Sequence, residues 1–292
     1  MKQILWANAL ESWASAISYC NQIMDGNAIL SNQKFFVSSL QNSIELFTKQ
    51  HMLNKCDYRV IEFTRMDASG EPLKSYLSAN NLNDYIKNCI NDVKYKSIDF
   101  GKIIDYFKEI FEEYFDQFNN TGTVKSALNR LKQLRNDETH FYIDGEEFLK
   151  EADFITLFNL MVDFYEILKH YHLLPYNLNA QGENTRFAFN KKRISSFSYR
   201  AQLKQSQFVK KLKENIKDKP YPTTGGNKSY SIAEDILNYS EAYESNDFNK
   251  IWAYIEMLLR YKMLVIKDYR ENENIEGHFI QSVDYRIYSI NI

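Results

Sequence analysis

The sequence predicts a mainly α-helical protein, a helical body followed by a small α+β unit. Three observations carry this. Apolar residues recur at three- and four-residue steps through most of the 292 residues, the spacing that lines one face of a helix. Turn formers are scarce, with 9 Gly and 4 Pro, which argues against a β-sandwich, a barrel or a glycine-rich cofactor fold. Near the C terminus the pattern changes to alternation, the period of a strand.

The elements follow in order. Leu5, Trp6, Ala9, Leu10, Trp13, Ala16, Ile17, Cys20 and Met24 predict a first helix over 4–24, ended by Gly26. Phe36, Leu40, Ile44, Phe47 and His51 predict a second over about 33–53. Alternation around Tyr58 and Val60 suggests a short strand. Leu82, Tyr85, Ile86, Cys89, Ile90 and Val93 mark a third helix. Asp99 caps the next, whose stripe runs from Ile103 to Phe118. Thr123 is the expected cap of a helix bearing Val124, Leu128, Leu131 and Leu134. A long helix from Phe148 to Tyr171 ends before Pro175.

Residues 176–230 differ in composition. Two of the four prolines and three of the nine glycines fall here, with Pro175 just before, and Lys191 to Lys219 holds ten basic residues against Glu214 and Asp218. A basic linker with a helix near 202–216 is expected. Residues 231–292 read as a separate unit. Ser231-Ile232-Ala233-Glu234 has a capping-box pattern. A second helix follows Ser245 or Asp247, with Phe248, Ile251, Trp252, Ile255 and Leu258 inward. Met263–Ile266 and 283–288 are expected as strands around a charged turn, Asp268 to Glu273. Helices followed by a two-stranded ribbon have the shape of a winged-helix domain, an analogy with little functional weight.

Composition narrows the function. Hydrophobic residues are 44%, charged residues 25% and the net charge is −2, so wholesale coating of nucleic acid is not the global picture, although a local basic patch is compatible with it. No uninterrupted apolar run reaches membrane-span length, and the first residues turn polar at Glu11 without a signal-peptide core. Cys20, Cys56 and Cys89 form no CxxC pair and suit a reducing compartment. His51, His140, His170, His172 and His278 show no zinc spacing. A cytoplasmic protein without metal, cofactor or membrane partner is expected.

One segment carries chemistry: Arg135-Asn136-Asp137-Glu138-Thr139-His140, after a well-marked helix. Asn136 and His140 are four apart and share a helical face. Arg135 and His140 are five apart and flank an edge. Two subunits meeting there bring two Arg–His pairs to one place. Such a set suits RNA cleavage without a metal. A histidine moves protons near neutral pH. An arginine clamps phosphate and stabilises its developing charge. Asn136 orients the imidazole, and Asp137 and Glu138 are expected to face elsewhere, toward Lys132 or Arg135. The structural alternative is a surface ion-pair network of little energetic weight.

Residues 131–140, Leu-Lys-Gln-Leu-Arg-Asn-Asp-Glu-Thr-His, resemble the RxxxxH signature of the HEPN superfamily. Arg135, Asn136 and His140 match its arginine, polar and histidine positions, and 43–50 is similar to the family's early helix. The resemblance covers 1–175 and implies a HEPN-like helical bundle. It implies a metal-independent endoribonuclease, active as a homodimer, of the toxin, abortive-infection or antiviral-defence type. Tyr142 extends the match to RxxxxHxY, similar to toxins silenced by an antitoxin that modifies that tyrosine. Asp137 and Glu138 are not a family requirement. On this reading Lys191, Lys192, Arg193, Arg200, Lys204, Lys210, Lys211 and Lys213 contact RNA phosphates. Phe197, Tyr199 and Phe208 lie among them, with core packing as their default role.

Two other readings stay open. A non-catalytic HEPN protein that binds RNA or scaffolds a complex predicts that Arg135 and His140 pack internally. A winged-helix DNA-binding regulator predicts a basic, exposed second helix in the C-terminal unit. Against that, Ser245 to Leu259 carries Asp247, Glu256 and only Lys250.

Overall fold

A computed structural model of the chain describes residues 2–55, 57–63, 95–118, 120–139, 148–175, 186–217, 219–222, 229–239, 243–275 and 279–292. It is mainly helical, with a small three-stranded open sheet near the C terminus. The chain divides into two compact units, Met1–Tyr19 with Lys34–Ser196, and Cys20–Gln33 with Phe197–Ile292. Residues 197–222, expected in the linker, therefore group with the C-terminal unit. The expected helix at 82–93, Cys56, Cys89, His140, Tyr142 and His278 lie outside the described residues.

The first unit holds most of α1 (Lys2–Met24) and α2 (Leu30–Asn54), a strand pair β1 (Ile61–Phe63) and β2 (Tyr95–Ser97), α3 (Phe100–Ile110), α4 (Glu112–Gln117), α5 (Thr121–Thr139) and α6 (Glu151–His170). β1 and β2 pair antiparallel, with Glu62 opposite Lys96. Asp99 caps α3 as expected, its Oδ1 accepting the Lys102 N–H at 2.9 Å. The stripe from Ile103 to Phe118 breaks into two helices, because Phe111 leaves helical geometry at φ −116° and ψ 37°. α5 starts at Thr121, two residues before the expected cap Thr123, and the Asn120 carbonyl accepts the Val124 N–H.

The core of this unit is aromatic. Trp13 is fully buried, with its ring 6.0 Å from Phe164 and 6.1 Å from Phe189. Its indole N–H donates to the Phe187 carbonyl at 2.9 Å, the partner a buried indole requires. Trp6 donates in the same way to the Leu173 carbonyl. The segment after residue 186 is laid along α6. Asn159 exchanges two hydrogen bonds of 2.9 Å with the Ile194 backbone, and Arg193 grips Asp163 at 2.7 and 2.9 Å.

The second unit holds α7 (Tyr199–Gln205), α8 (Gln207–Ile216), β3 (Pro220–Pro222), α9 (Ser229–Tyr239), α10 (Phe248–Arg260), β4 (Leu264–Ile275) and β5 (Phe279–Ile290). The expected helix at 202–216 is two helices, separated by Ser206 in extended geometry, ψ 125°. The sheet order is β3-β5-β4, all antiparallel. β3 is the strand not foreseen. Its two prolines cannot donate to a ladder, and they sit on an edge. Asp268 to Glu273, expected as a turn, instead continue β4, where Asp268 faces Arg286 and accepts from its Nε at 2.8 Å. Charged side chains on a ribbon mimic a turn signal when read without their cross-strand partners. Tyr288 is buried in the sheet and donates from its hydroxyl to Asp235 of α9 at 2.5 Å.

Candidate functional site

Helix α5 positions the chemical segment. Val124, Ala127, Leu128, Leu131 and Leu134 form its buried stripe. The helix is pinned to α6 by a two-point contact, Arg130 Nε and a terminal guanidinium nitrogen each 2.7 Å from an Asp153 oxygen. Arg130 also donates to Gln133 at 2.7 Å. Asp137 adds its charge to the surroundings of Arg130. At 100° per residue Arg130 and Asp137 share one flank of α5, and Arg135 lies on the other. Asp137 thus lies on the flank of Arg130, a cation other than the Lys132 and Arg135 expected near it.

Arg135 is half-buried and Asn136 exposed, in the last turns of α5. Arg135 lines an open cleft of about 440 Å³ together with Glu11, Ser12 and Ser15 of α1 and Ser38, Ser39, Gln41, Asn42 and Glu45 of α2. The walls are hydroxyls and amides. Asn42 Nδ2 donates to Ser12 Oγ at 2.6 Å. Each carboxylate has its own cation: Glu45 lies 2.5 Å from Lys49 and Glu11 2.5 Å from Arg186. Gln41 Oε1 is buried without a hydrogen-bond partner. Such a cleft is suited to an anionic ligand that also offers hydroxyl donors.

Sequence reading singled out Arg135 and Asn136 but missed the serines, Gln41 and Asn42. Their signal was faint. Ser12 and Ser15 are three apart on α1, and Ser38 and Asn42 four apart on α2, so each pair shares a face beside a core stripe. Nothing in the sequence joined those faces to residue 135.

The basic residues divide between the units. In the first, Lys191, Lys192 and Arg193 are exposed, but Arg193 already holds Asp163, whose side chain is only 9% exposed. Burial pushes the Asp163 carboxyl up, and Arg193 opposes that shift. In the second unit Arg200, Lys204, Lys210 and Lys211 are exposed and Lys213 is half-buried. Val209, Leu212 and Ile216 turn the other side of α8 into the core, so the cations stand on its solvent face.

Of the remaining histidines, His51 is enclosed in the core. It is 4% exposed, 5.0 Å from Phe111 and 4.5 Å from Tyr171 by ring centroids. Burial, with Lys55 second, lowers its pKa from 6.5 to about 4, against a hydrogen bond to the Ile110 backbone. Nε2 has no partner. A neutral ring locked among aromatics is a core histidine. His170 packs against Tyr114 and Tyr171. Among the described residues no group of three or more metal-capable side chains converges, and no helix is long and apolar enough to cross a membrane. Compared with protein-family models, curated proteins and solved structures, the chain matches none.

Proposed function

We propose that the chain is a metal-independent endoribonuclease of a defence or toxin type, acting in the cytoplasm as a homodimer. Its first unit is a HEPN-like bundle on this reading and its second is winged-helix-like. The observation that supports the reading best is the cleft beside Arg135. It puts a guanidinium among hydroxyl and amide walls, with both local carboxylates neutralised by their own cations. A ribose–phosphate backbone carries the matching charge and donors.

In the reaction, the 2′-hydroxyl of the substrate loses its proton to a base and its oxygen attacks the adjacent phosphorus. The bond to the 5′-oxygen breaks, and that oxygen takes a proton from an acid. The products are a 2′,3′-cyclic phosphate and a 5′-hydroxyl. His140 is assigned the proton transfers, Arg135 the clamp on the phosphate and Asn136 the orientation of the imidazole. Tyr142 is the assigned point of control by an antitoxin. Lys191, Lys192, Arg200, Lys204, Lys210, Lys211 and Lys213 hold the strand by its phosphates. Arg193 contributes less, because Asp163 already neutralises it.

The test is cleavage of mixed single-stranded and transfer RNAs in chelator, beside an Arg135→Ala, His140→Ala variant. Cleavage lost only in the variant supports the enzyme. RNA binding with no cleavage by the native chain transfers the assignment to a non-catalytic RNA-binding protein. The DNA-regulator reading gains no support from α10, where exposed Lys250 is accompanied by Asn249 and Trp252, and Arg260 lies 3.8 Å from Glu256.

A further inference from the structure

We infer that a cleft in the C-terminal unit binds one unpaired nucleobase of a single-stranded RNA. This rests on the reading of RNA as the chain's ligand but not on the chemistry at Arg135. The cleft measures about 480 Å³ and is lined by Asp25, Gln202, Gln205, Gln207, Phe208 and Tyr254, among others. Its size falls in the range of small-ligand sites, about 300–1,000 Å³.

Local structure explains the set. α7 stops at Gln205 and α8 begins at Gln207, so the break at Ser206 brings three glutamines to one opening. Gly26 lets the turn after α1 approach them. Its φ is +88°, and a Cβ there would stand 3.0 Å from the Gln202 carbonyl oxygen. That approach delivers Asp25.

The chemistry is that of base recognition. Each glutamine amide offers both donor and acceptor, which is what the edge of a base requires. The Asp25 carboxylate only accepts, so it favours bases with amino donors over uracil. Phe208 stacks on Tyr254 with centroids 4.5 Å apart and planes 26° apart. Tyr254 is 5% exposed and hydrogen-bonded to Ser206, which fixes the pair. Lys250 Nζ lies over the Phe208 ring, 4.6 Å from its centroid. The lysine is exposed and its stem rotates. A base that takes its place exchanges a cation–π contact for stacking and releases the ammonium to a phosphate. The same two helices expose Arg200, Lys204, Lys210 and Lys211 against Glu214 alone, the charge a strand's backbone needs.

The test uses the full chain and 2′-O-methyl oligonucleotides of A, C, G and U, which bind but lack the attacking hydroxyl. Affinity is read by fluorescence anisotropy at several salt concentrations. We expect U to bind weakest. Gln202→Ala, Gln205→Ala, Gln207→Ala should weaken the other three about tenfold, the scale of one lost base contact, and remove the preference without changing the salt slope. Lys204→Ala, Lys211→Ala should weaken all four alike and reduce that slope. If the triple variant loses its circular dichroism signal, Gln205→Ala, Gln207→Ala, at two exposed positions, is read instead with the same expectation. Native affinity and preference in the folded glutamine variant overturn the inference, as does absence of oligonucleotide binding. Competition by free mononucleotides at strand-like concentrations also overturns it, because the pocket then serves a free nucleotide. Cleavage of ordinary RNA is read separately. Its failure with the binding pattern intact sinks only the nuclease, and normal cleavage with unselective binding sinks only the pocket.

Discussion

Replacing His51 by Phe should change how the first unit responds to acid. His51 is neutral in the folded chain because burial, with Lys55 second, lowers its pKa to about 4. In the unfolded chain it returns to about 6.5. Between those values the unfolded state takes up a proton that the folded state refuses, so stability is lost as pH falls from 6.5 toward 4. The loss is about 1.4 kcal/mol per pH unit. Integrated, His51 costs about 0.2 kcal/mol at pH 7, about 1.4 at pH 5.5 and about 2.5 at pH 4.5. Phe keeps a ring between Phe111 and Tyr171 and removes the titration. Its own cost is the hydrogen bond to Ile110, which is independent of pH. Carboxylates titrate in both proteins and cancel in the difference. The assay is urea unfolding followed by tryptophan fluorescence in a Trp252→Phe background, where Trp6 and Trp13 report the first unit alone. Relative to native, the variant should gain about 2.3 kcal/mol between pH 7 and pH 4.5. A difference between the two proteins that stays constant across this range would refute the reasoning.

Other outcomes are as specific. Arg135→Ala should reduce RNA cleavage about 100- to 1,000-fold, the scale of a lost donor to a developing oxyanion, in a variant that keeps its helical circular dichroism signal. Arg193→Ala should destabilise the first unit by about 1–2 kcal/mol in denaturant titration, because it takes a charge-assisted partner from the buried Asp163 carboxylate. Unchanged stability would return Arg193 to the RNA-contact set. Tyr288→Phe removes the hydroxyl donated to buried Asp235 and should cost about 1–3 kcal/mol, seen in Trp252 fluorescence on urea unfolding. Asp99→Ala should cost about 1 kcal/mol through the lost cap on α3, measured by circular dichroism.

The helices were the legible part, because an apolar face repeats within each one and needs no distant partner to be seen. Phe111 and Ser206 show the limit. Both interrupt an apolar stripe that continues on either side, and their dihedrals are set by what packs around them. β3 was hidden because Pro220 and Pro222 argue against a strand until an edge position accommodates them. The extent of β4 was hidden because Asp268 reads as a turn residue until Arg286 lies opposite.

The candidate sites divide the same way. The sequence by itself determined that Arg135 and Asn136 stand at the end of a helix and that α8 has a basic solvent face. Both follow from helical periodicity, a property of neighbours. Only the tertiary structure decided that Ser12, Ser38, Gln41 and Asn42 wall the cleft at Arg135, that Arg193 is held by Asp163, and that three glutamines meet Asp25 beside a stacked Phe–Tyr pair. Those are meetings of residues far apart in the chain. Polar side chains leave no periodic trace of a distant partner, and packing of the apolar faces chooses which polar ones converge.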